Sequence, residues 1–305
     1  MRALRVCLLV MTASLATALA TTAASGEDPA PSTPIKVGVI GSLFRDLPEP
    51  VFQALAKPLK TLLDSQTGRT SQLVCGGDAD YLGNQLAKDR VQLAVFNGFE
   101  FAWARLKYPE IKPLMIAVNQ HRHLKAVLVT SRDSSATSWS DFQGKTLALP
   151  RLSREHCRLF LERRCEGCGQ KADNFFAQIT RSLDVEDALD AVVDGQVNAA
   201  VVDAVSLDNF QKRKPGRFAR LKIIQESETF PTGVLAYHPG AMDESFVKKF
   251  RDGMVSSSQT RRGQQLLTLC QLSGFEHIPE DYEQLLTEIA KAYPPPAPHA
   301  TPAPK

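Results

Sequence analysis

The sequence predicts an α/β protein made of two wound lobes that are joined by two crossings of the chain. Strand-like and helix-like segments alternate along most of the 305 residues, and this alternation is typical of parallel, wound sheets. One strand pattern occurs twice, because residues 91–97 (VQLAVFN) resemble residues 197–203 (VNAAVVD) and both end on a polar residue. The repeat indicates two lobes of like construction.

Lobe 1 is predicted to combine residues 35–125 with residues 234–293. Its elements are strands at Ile35–Ile40, Gln72–Cys75, Val91–Phe96 and Gly233–Tyr237, and helices at Pro50–Leu63, Asp78–Lys88, Asp243–Ser257, Thr260–Leu272 and Pro279–Tyr293. Pro58 lies inside the first of these helices, and it should kink or split that helix because proline has no amide hydrogen.

Lobe 2 is predicted to span residues 126–233. Its elements are strands at Lys145–Pro150, Val197–Asp203 and Leu221–Gln225, and helices at Ser153–Arg164 and Val185–Val193. Extended segments near residues 117–127 and 228–237 would carry the chain from one lobe to the other.

Both ends of the chain are predicted to lie outside the lobes. Arg2 and Arg5 precede a short apolar run and then small residues, so residues 1–24 are expected to be a cleaved signal peptide. The alternative, a membrane anchor, is disfavoured because the run is short and contains Thr and Ser. Residues 25–34 would form a linker, and the proline-rich residues 294–305 a disordered tail. We therefore expect a periplasmic or secreted protein without a membrane span.

The charge balance excludes one class of partner. The chain carries 36 basic and 33 acidic residues, and loss of the signal peptide removes two arginines, which leaves a net charge of about +1. Such a small charge creates no long-range field toward nucleic acid, so no nucleic-acid partner is expected. Any preference for an anion must come from local groups.

A ligand site is expected where strands end and helices begin. In wound sheets the loops at the carboxyl ends of the strands face a crevice, and helix N-termini there present unpaired N–H groups. The candidate residues at these places are Phe44 and Arg45, Asn97, Gly98 and Phe99, Ser153, Arg154 and His156, and Asp203.

The helix start near residue 153 is the most informative of these places. Ser153 is a natural N-cap, and Arg154 and His156 beside it suit a carboxylate, phosphate or sulfonate. Alternatively, Ser153 only caps its helix and the arginines face water. Asp203 is expected to cap the next helix rather than to bind a ligand amine.

Two further alternatives concern the lobe 1 candidates. Arg45 either reaches a ligand or pairs with Asp46 or Glu49. Phe99 belongs to an aromatic group at residues 96–103, of which some members must pack in the core.

Five cysteines remain after removal of the signal peptide: Cys75, Cys157, Cys165, Cys168 and Cys270. An oxidising compartment favours disulfides, and Cys165 and Cys168 are near enough in sequence to bridge locally, but the sequence leaves the pairing open.

The sequence predicts no catalytic site, no cofactor and no metal. His156, Cys157, Cys165 and Cys168 do not form a zinc set, because Cys157 and Cys165 would lie about 12 Å apart along a helix. Phosphate loops, dinucleotide fingerprints and nucleophile elbows are absent from the sequence.

Several phrases, in order and at specific spacing, resemble one protein family. They are Lys36–Ile40, Val91–Gly98, Val127–Ser134, Ser140–Ala148 and Val193–Ala200. Residues 35–260 are similar to the phosphonate-binding, PhnD-like receptors of ABC importers, which have the type 2 periplasmic binding protein fold. In place of the family's Ser-Thr-Ser-Gly type loop, this chain has Leu152-Ser-Arg-Glu-His156, so the site position carries over but phosphonate itself does not.

The resemblance implies a receptor that captures a small anionic ligand, such as a phosphonate, a phosphate or another oxyanion, without transforming it. Its partner would be an ABC transporter permease or a membrane sensor, and we expect a monomer. One alternative is a scaffold without ligand, in which Glu155 fills the anion site by pairing with Arg154. The other is a thiamin-related enzyme of the same fold, with His156 and Cys157 as the first candidates for catalytic residues.

Overall fold

The computed structural model of the protein describes residues 34–45, 49–151, 153–269 and 272–296. The predicted signal peptide, nearly all of the linker, Cys270 and the tail beyond residue 296 lie outside these residues. In the part described, no helix combines the length and apolar character needed to cross a membrane.

The strands form two main sheets and a short two-stranded pair. In chain order they are β1 (Ile35–Val39), β2 (Ser71–Cys75), β3 (Leu93–Phe96), β4 (Lys112–Val118), β5 (His123–Leu124), β6 (Ala126–Ser131), β7 (Thr146–Ala148), β8 (Gln178–Thr180), β9 (Ala199–Asp203), β10 (Leu221–Glu226), β11 (Phe230–Pro231), β12 (Val234–Tyr237) and β13 (Gly274–Glu276).

The helices pack on both faces of these sheets. They are α1 (Glu49–Thr67), α2 (Ala79–Ala87), α3 (Gly98–Lys107), α4 (Glu155–Gly167), α5 (Ala172–Phe175), α6 (Val185–Val193), α7 (Ala204–Arg213), α8 (Pro215–Phe218), α9 (Glu244–Ser256), α10 (Arg261–Leu269) and α11 (Tyr282–Ala292). Short 3₁₀ helices lie at Gly41–Phe44, Trp139–Phe142 and Ser257–Gln259.

The two sheets share one topology. Lobe 1 has the strand order β13-β4-β12-β3-β1-β2, and lobe 2 has the order β10-β6-β9-β7-β8. In each sheet a central strand pairs in parallel with a strand on either side: β1 with β2 and β3 in lobe 1, and β7 with β8 and β9 in lobe 2. An antiparallel strand lies next in each sheet, because β12 pairs with β3 in lobe 1 and β6 pairs with β9 in lobe 2. The predicted two-lobed fold is confirmed, and the sequence repeat corresponds to the equivalent strands β3 and β9.

The crossings meet in the antiparallel pair β5–β11, where Phe230 lies opposite Leu124. Phe230 is completely buried and packs against Tyr293 at a ring distance of 4.7 Å. The end of α11 therefore packs on the crossings, and the crossings belong to the buried core.

Apolar residues at the spacing of each element explain why it forms where it does. β9 is buried at every residue, as expected for a central strand covered by helices on both faces. In α6, Ala188, Leu189, Val192 and Val193 form one buried stripe, and the Asp184 side chain caps the helix by accepting from Asp187 N at 2.9 Å. This helix has the predicted bounds.

Two sequence-based suggestions about local structure are not met: α1 is not split at Pro58, and Cys165 and Cys168 are not joined. Helix α1 runs unbroken through Pro58, since residue 54, whose carbonyl loses its usual donor, is exposed and water can replace that hydrogen bond. Cys165 and Cys168 do not form a local disulfide, because Cys165 is buried with Trp139 in the lobe 2 core and Cys168 is exposed.

Candidate functional site

The carboxyl ends of the parallel strands bring the candidate residues to the crevice edge of each lobe. In lobe 1, β1 leads into the 3₁₀ helix that ends at Phe44, and β3 leads into α3 through Asn97. In lobe 2, β7 leads toward α4, and β9 leads into α7 through Asp203. Since the strands within each pair are parallel, their ends lie at one edge of the sheet.

A buried carboxyl group lies at the lobe 1 edge. Glu100, in the first turn of α3, accepts hydrogen bonds from Ser42 Oγ at 2.5 Å and from Asn97 Nδ2 at 2.8 Å. Burial raises the pKa of Glu100 to about 7, although these two hydrogen bonds and the charge of Arg45 act to lower it. Glu100 is therefore a carboxyl group that exchanges its proton near neutral pH.

A pocket opens beside this carboxyl group. It has a volume of about 270 Å³ and is lined by Gly41, Ser42, Arg45, Gly77, Asp78 and Glu100. This volume is just below the usual range for drug-sized ligands, so the pocket suits a small solute. Its charged groups are one guanidinium and two carboxyl groups.

At the lobe 2 edge, His156 and Asp203 form a buried pair. His156 Nε2 lies 3.1 Å from Asp203 Oδ2, and both side chains are almost completely buried. Asp203 Oδ1 accepts from Val205 N at 3.0 Å and from Ser206 N at 3.3 Å, which confirms that Asp203 caps α7. Burial alone would raise the pKa of Asp203, but the close contact with His156 lowers it below its ordinary value.

An ion pair joins the two edges. Arg45 Nη2 of lobe 1 lies 2.7 Å from Glu155 Oε1, and Glu155 is the first residue of α4 in lobe 2. Arg45 is therefore paired across the cleft, while Asp46 and the side chain of Glu49 lie outside what the structure describes. Among the described residues, the partners of Glu155 are Arg45 and Arg158 rather than Arg154. The carboxylate also lies near a second cation, because Arg158 Nε is 3.6 Å from Glu155 Oε2.

The structure changes the expected start of α4. The expectation that Ser153 caps this helix is wrong, since α4 begins at Glu155 and its N-cap residue is Arg154, whose side chain makes no capping hydrogen bond. Ser153 Oγ is buried without a hydrogen-bond partner among the described residues. The role of Ser153 and Arg154 in binding a ligand stays a prediction.

The remaining predicted residues are divided between core and edge. Phe99 packs edge-on against Trp103 at 5.0 Å and Phe230 at 5.9 Å, and these contacts make it a core residue. Phe44 ends the 3₁₀ helix, but its side chain lies outside what the structure describes. Asn97 is placed by its hydrogen bonds at the pocket, beside Ser42 and Glu100.

Gly98 is required for close packing of α3 against the second crossing. A Cβ atom there would lie 2.4 Å from Pro231 O and 2.5 Å from Thr232 O, and backbone cannot yield as a flexible side chain can. We expect Gly98→Ala to lower the free energy of unfolding by about 2 kcal/mol in urea denaturation. The control is Gly167→Ala in α4, where a Cβ meets no atom within 4 Å and the change should be neutral or slightly stabilising. Equal effects of the two changes would contradict the close-packing argument.

Sequence reasoning missed Glu100 and the pairing of Glu155 with Arg45. A signal for Glu100 exists, since Asn97 and Glu100 have the spacing of a capping box, with an acid three residues after the cap. No comparable signal exists for the ion pair, because its partners are 110 residues apart and meet only across the cleft. Among the described residues, no group of three or more His, Cys, Asp or Glu is placed to hold a metal ion.

Three solved structures are similar to this chain in fold. XAC2383 from Xanthomonas citri, bound to ATP, matches with a TM-score of 0.60 and 16% identity, over 86% of this chain and 97% of that one. PhnD1 from Prochlorococcus marinus, in complex with methylphosphonate, matches with a TM-score of 0.54 and 16% identity, over 85% of this chain and 97% of that one. A binding protein component of an ABC phosphonate transporter, PA3383 from Pseudomonas aeruginosa, matches with a TM-score of 0.54 and 16% identity, over 84% of each chain.

The sequence matches a family model over most of its length. None of the curated proteins matches the chain significantly. Residues 45–282, however, match the model described as the phosphonate periplasmic substrate-binding protein of ABC transporters. The matched range includes both sheets except β1, the lobe 2 edge of the cleft, and Arg45, Asn97 and Glu100 of the lobe 1 edge. The chain therefore belongs to the phosphonate-binding family of periplasmic substrate-binding proteins of ABC transporters.

Proposed function

We propose that the protein captures a small oxyanion in the cleft between its lobes and presents it, unchanged, to an ABC transporter permease or a membrane sensor. One observation carries this proposal: Arg45 already holds an oxyanion at the cleft, namely the carboxylate of Glu155 at 2.7 Å. That carboxylate lies at the N-terminus of α4, where the helix dipole favours negative charge. A phosphonate, phosphate or carboxylate ligand would meet the same two groups.

The environments of Cys157 and His156, the first candidates for catalytic residues, favour binding without chemical change over catalysis. Cys157 is completely buried, and burial raises the pKa of its thiol well above the ordinary value, so the reactive thiolate is disfavoured. His156 is already held by Asp203 and packs beside Phe230 at a ring distance of 5.4 Å. Cys157 therefore packs in the lobe 2 core, and His156 has a structural role between Asp203 and Phe230.

The direct test is an anion screen of the mature protein. Thermal-shift measurements with phosphate, methylphosphonate, sulfate and acetate should identify an anion that raises the unfolding midpoint, because a ligand of the native state stabilises it. Calorimetric titration of that anion against Arg45→Gln should show affinity lowered about tenfold, the loss expected for one hydrogen bond to a charged group.

The control for the screen is Arg69→Gln. Arg69 lies before the start of β2, at the opposite end of the strand from the pocket, and its guanidinium lies over the Phe246 ring at 5.2 Å. Its replacement should leave anion affinity unchanged. Equal losses in the two variants would exclude Arg45 as a ligand of the anion, and a screen without any hit would contradict the proposed function.

A scaffold without ligand is the second candidate, and the same ion pair favours it. If Glu155 permanently fills the anion position, the cleft needs no solute to satisfy Arg45. In that case the natural chain should bind no anion of the screen.

Lobe 1 would comprise residues 35–125 and 234–293, and lobe 2 residues 126–233, in a monomeric protein. Residues 1–24 would be removed on export to the periplasm, where substrate-binding proteins of this family act. N-terminal sequencing of the exported protein reports the cleavage position.

A further inference from the structure

We infer that Glu155 is a displaceable internal ligand of the cleft, which an incoming anion replaces on Arg45 and which thereby sets the affinity of the site. This inference rests on the proposed function, since it requires that anions bind at Arg45. It assigns to Glu155 a role in affinity that neither the family match nor the structural neighbours describe.

The first support is the position of the carboxylate. Arg45 is half exposed, with 49% of its side chain accessible, whereas Glu155 is 13% accessible. The guanidinium therefore keeps an open side toward the pocket that it lines, while the carboxylate lies deeper, at the helix start. A solute can approach Arg45 from the pocket without first separating the lobes.

The second support is that α4 is held in place by contacts other than this ion pair. Leu159, one turn after Glu155, packs in the lobe 1 core cluster that contains Phe230 and Tyr293. Arg163, one turn further, donates to Pro294 O, and Arg164 binds Glu228 of the second crossing at 2.9 Å. Because these contacts fix the helix, Glu155 can leave Arg45 by rotation of its side chain alone.

The third support is a second cation beside the carboxylate. Arg158 lies one turn along the same helix face, and its Nε is 3.6 Å from Glu155 Oε2. A small rotation moves the carboxylate from a pair shared by Arg45 and Arg158 to a pair with Arg158 alone. The charge of Glu155 thus stays compensated when a solute takes Arg45.

The expected size of the effect follows from competition. A partly exposed ion pair is formed roughly four times as often as it is broken, so Arg45 is free of Glu155 in roughly one molecule in five. The apparent affinity for an anion is reduced by that fraction. Removal of the carboxylate should therefore tighten anion binding about fivefold.

The test is calorimetric titration of methylphosphonate into the mature natural chain and into Glu155→Gln, with inorganic phosphate as the second probe. Glutamine keeps the size of the side chain and removes its charge, and it should bind the anion about fivefold more tightly. The control is Glu166→Gln on the same helix, whose partner is Arg163 at 3.0 Å, and it should leave the affinity unchanged.

A second pair of variants tests the release onto Arg158. Arg158→Gln should weaken anion binding two- to threefold in the natural chain, because the Glu155 carboxylate then loses the cation that compensates it after it leaves Arg45. In the Glu155→Gln background, which lacks this carboxylate, the same substitution should have no effect. Equal effects in both backgrounds would exclude the exchange.

The outcomes separate this inference from the proposed function. If the natural chain binds the anion and Glu155→Gln binds it equally or more weakly, the inference is wrong and the proposed function stands. Binding by Glu155→Gln alone overturns both, because the carboxylate of the natural chain is then not displaced by the anion. Absence of binding in both proteins overturns both and leaves the scaffold.

Discussion

Replacement of Asp203 by alanine is expected to lower the free energy of unfolding by about 4 kcal/mol at pH 7. The substitution removes the cap of α7, which contributes about 1 kcal/mol, and it removes the partner of buried His156, which contributes about 3 kcal/mol. Urea denaturation followed by circular dichroism measures the change. Because His156 holds the pKa of Asp203 below its ordinary value of 3.8, the difference in stability should persist down to pH 4 and narrow only at lower pH, as the carboxyl group takes up a proton.

The control for this prediction is Asp184→Ala. Asp184 caps α6 in the same lobe by accepting from Asp187 N at 2.9 Å, but it lies at the surface. Its removal should cost only about 1 kcal/mol, the usual contribution of a cap. If both substitutions have the same effect, the buried pair with His156 contributes nothing to stability.

Glu100→Gln is expected to stabilise the protein by about 3 kcal/mol at pH 8 and to have almost no effect at pH 4. The pKa of Glu100 is about 7 in the folded protein and 4.5 for an ordinary glutamate, so the folded state holds a proton that the unfolded state releases. The stability of the natural chain therefore falls as pH rises from 4.5 to 7, by about 1.4 kcal/mol per pKa unit of difference. Glutamine does not ionise and can still accept hydrogen bonds from Ser42 and Asn97.

Urea denaturation at several pH values between 4 and 8 measures this effect. The control is Glu110→Gln, because Glu110 is an exposed residue between α3 and β4. Its substitution should leave the pH dependence of stability unchanged. A gain in stability from Glu100→Gln that is the same at all pH values would show that ionisation of Glu100 has no part in it.

Local patterns in the sequence were sufficient for much of the fold. The apolar runs at β3 and β9, each followed by a polar residue and a helix, indicated two similar lobes, and the topology of the two sheets confirms them. The bounds of α6 and the cap at Asp203 were also predicted correctly. These features depend on residues within one or two turns of each other, and their spacing is visible in the sequence.

The start of α4 shows where local reasoning failed. Ser153 is a good N-cap residue, but α4 begins at Glu155, whose carboxylate binds Arg45 and lies near Arg158. The contacts of Leu159 with the lobe 1 core cluster and of Arg163 with Pro294 also hold this helix. Tertiary contacts therefore outweigh a capping preference of about 1 kcal/mol.

The sequence by itself determined the two-lobed α/β class, the family and the strand ends at which a site lies. Only the tertiary structure decided which side chains meet there: Arg45 with Glu155, His156 with Asp203, and Glu100 with Ser42 and Asn97. The physical reason is the separation along the chain over which each kind of interaction acts. Periodicity and capping act between neighbours in the chain, whereas charge pairing and burial depend on residues that only the closed fold brings together.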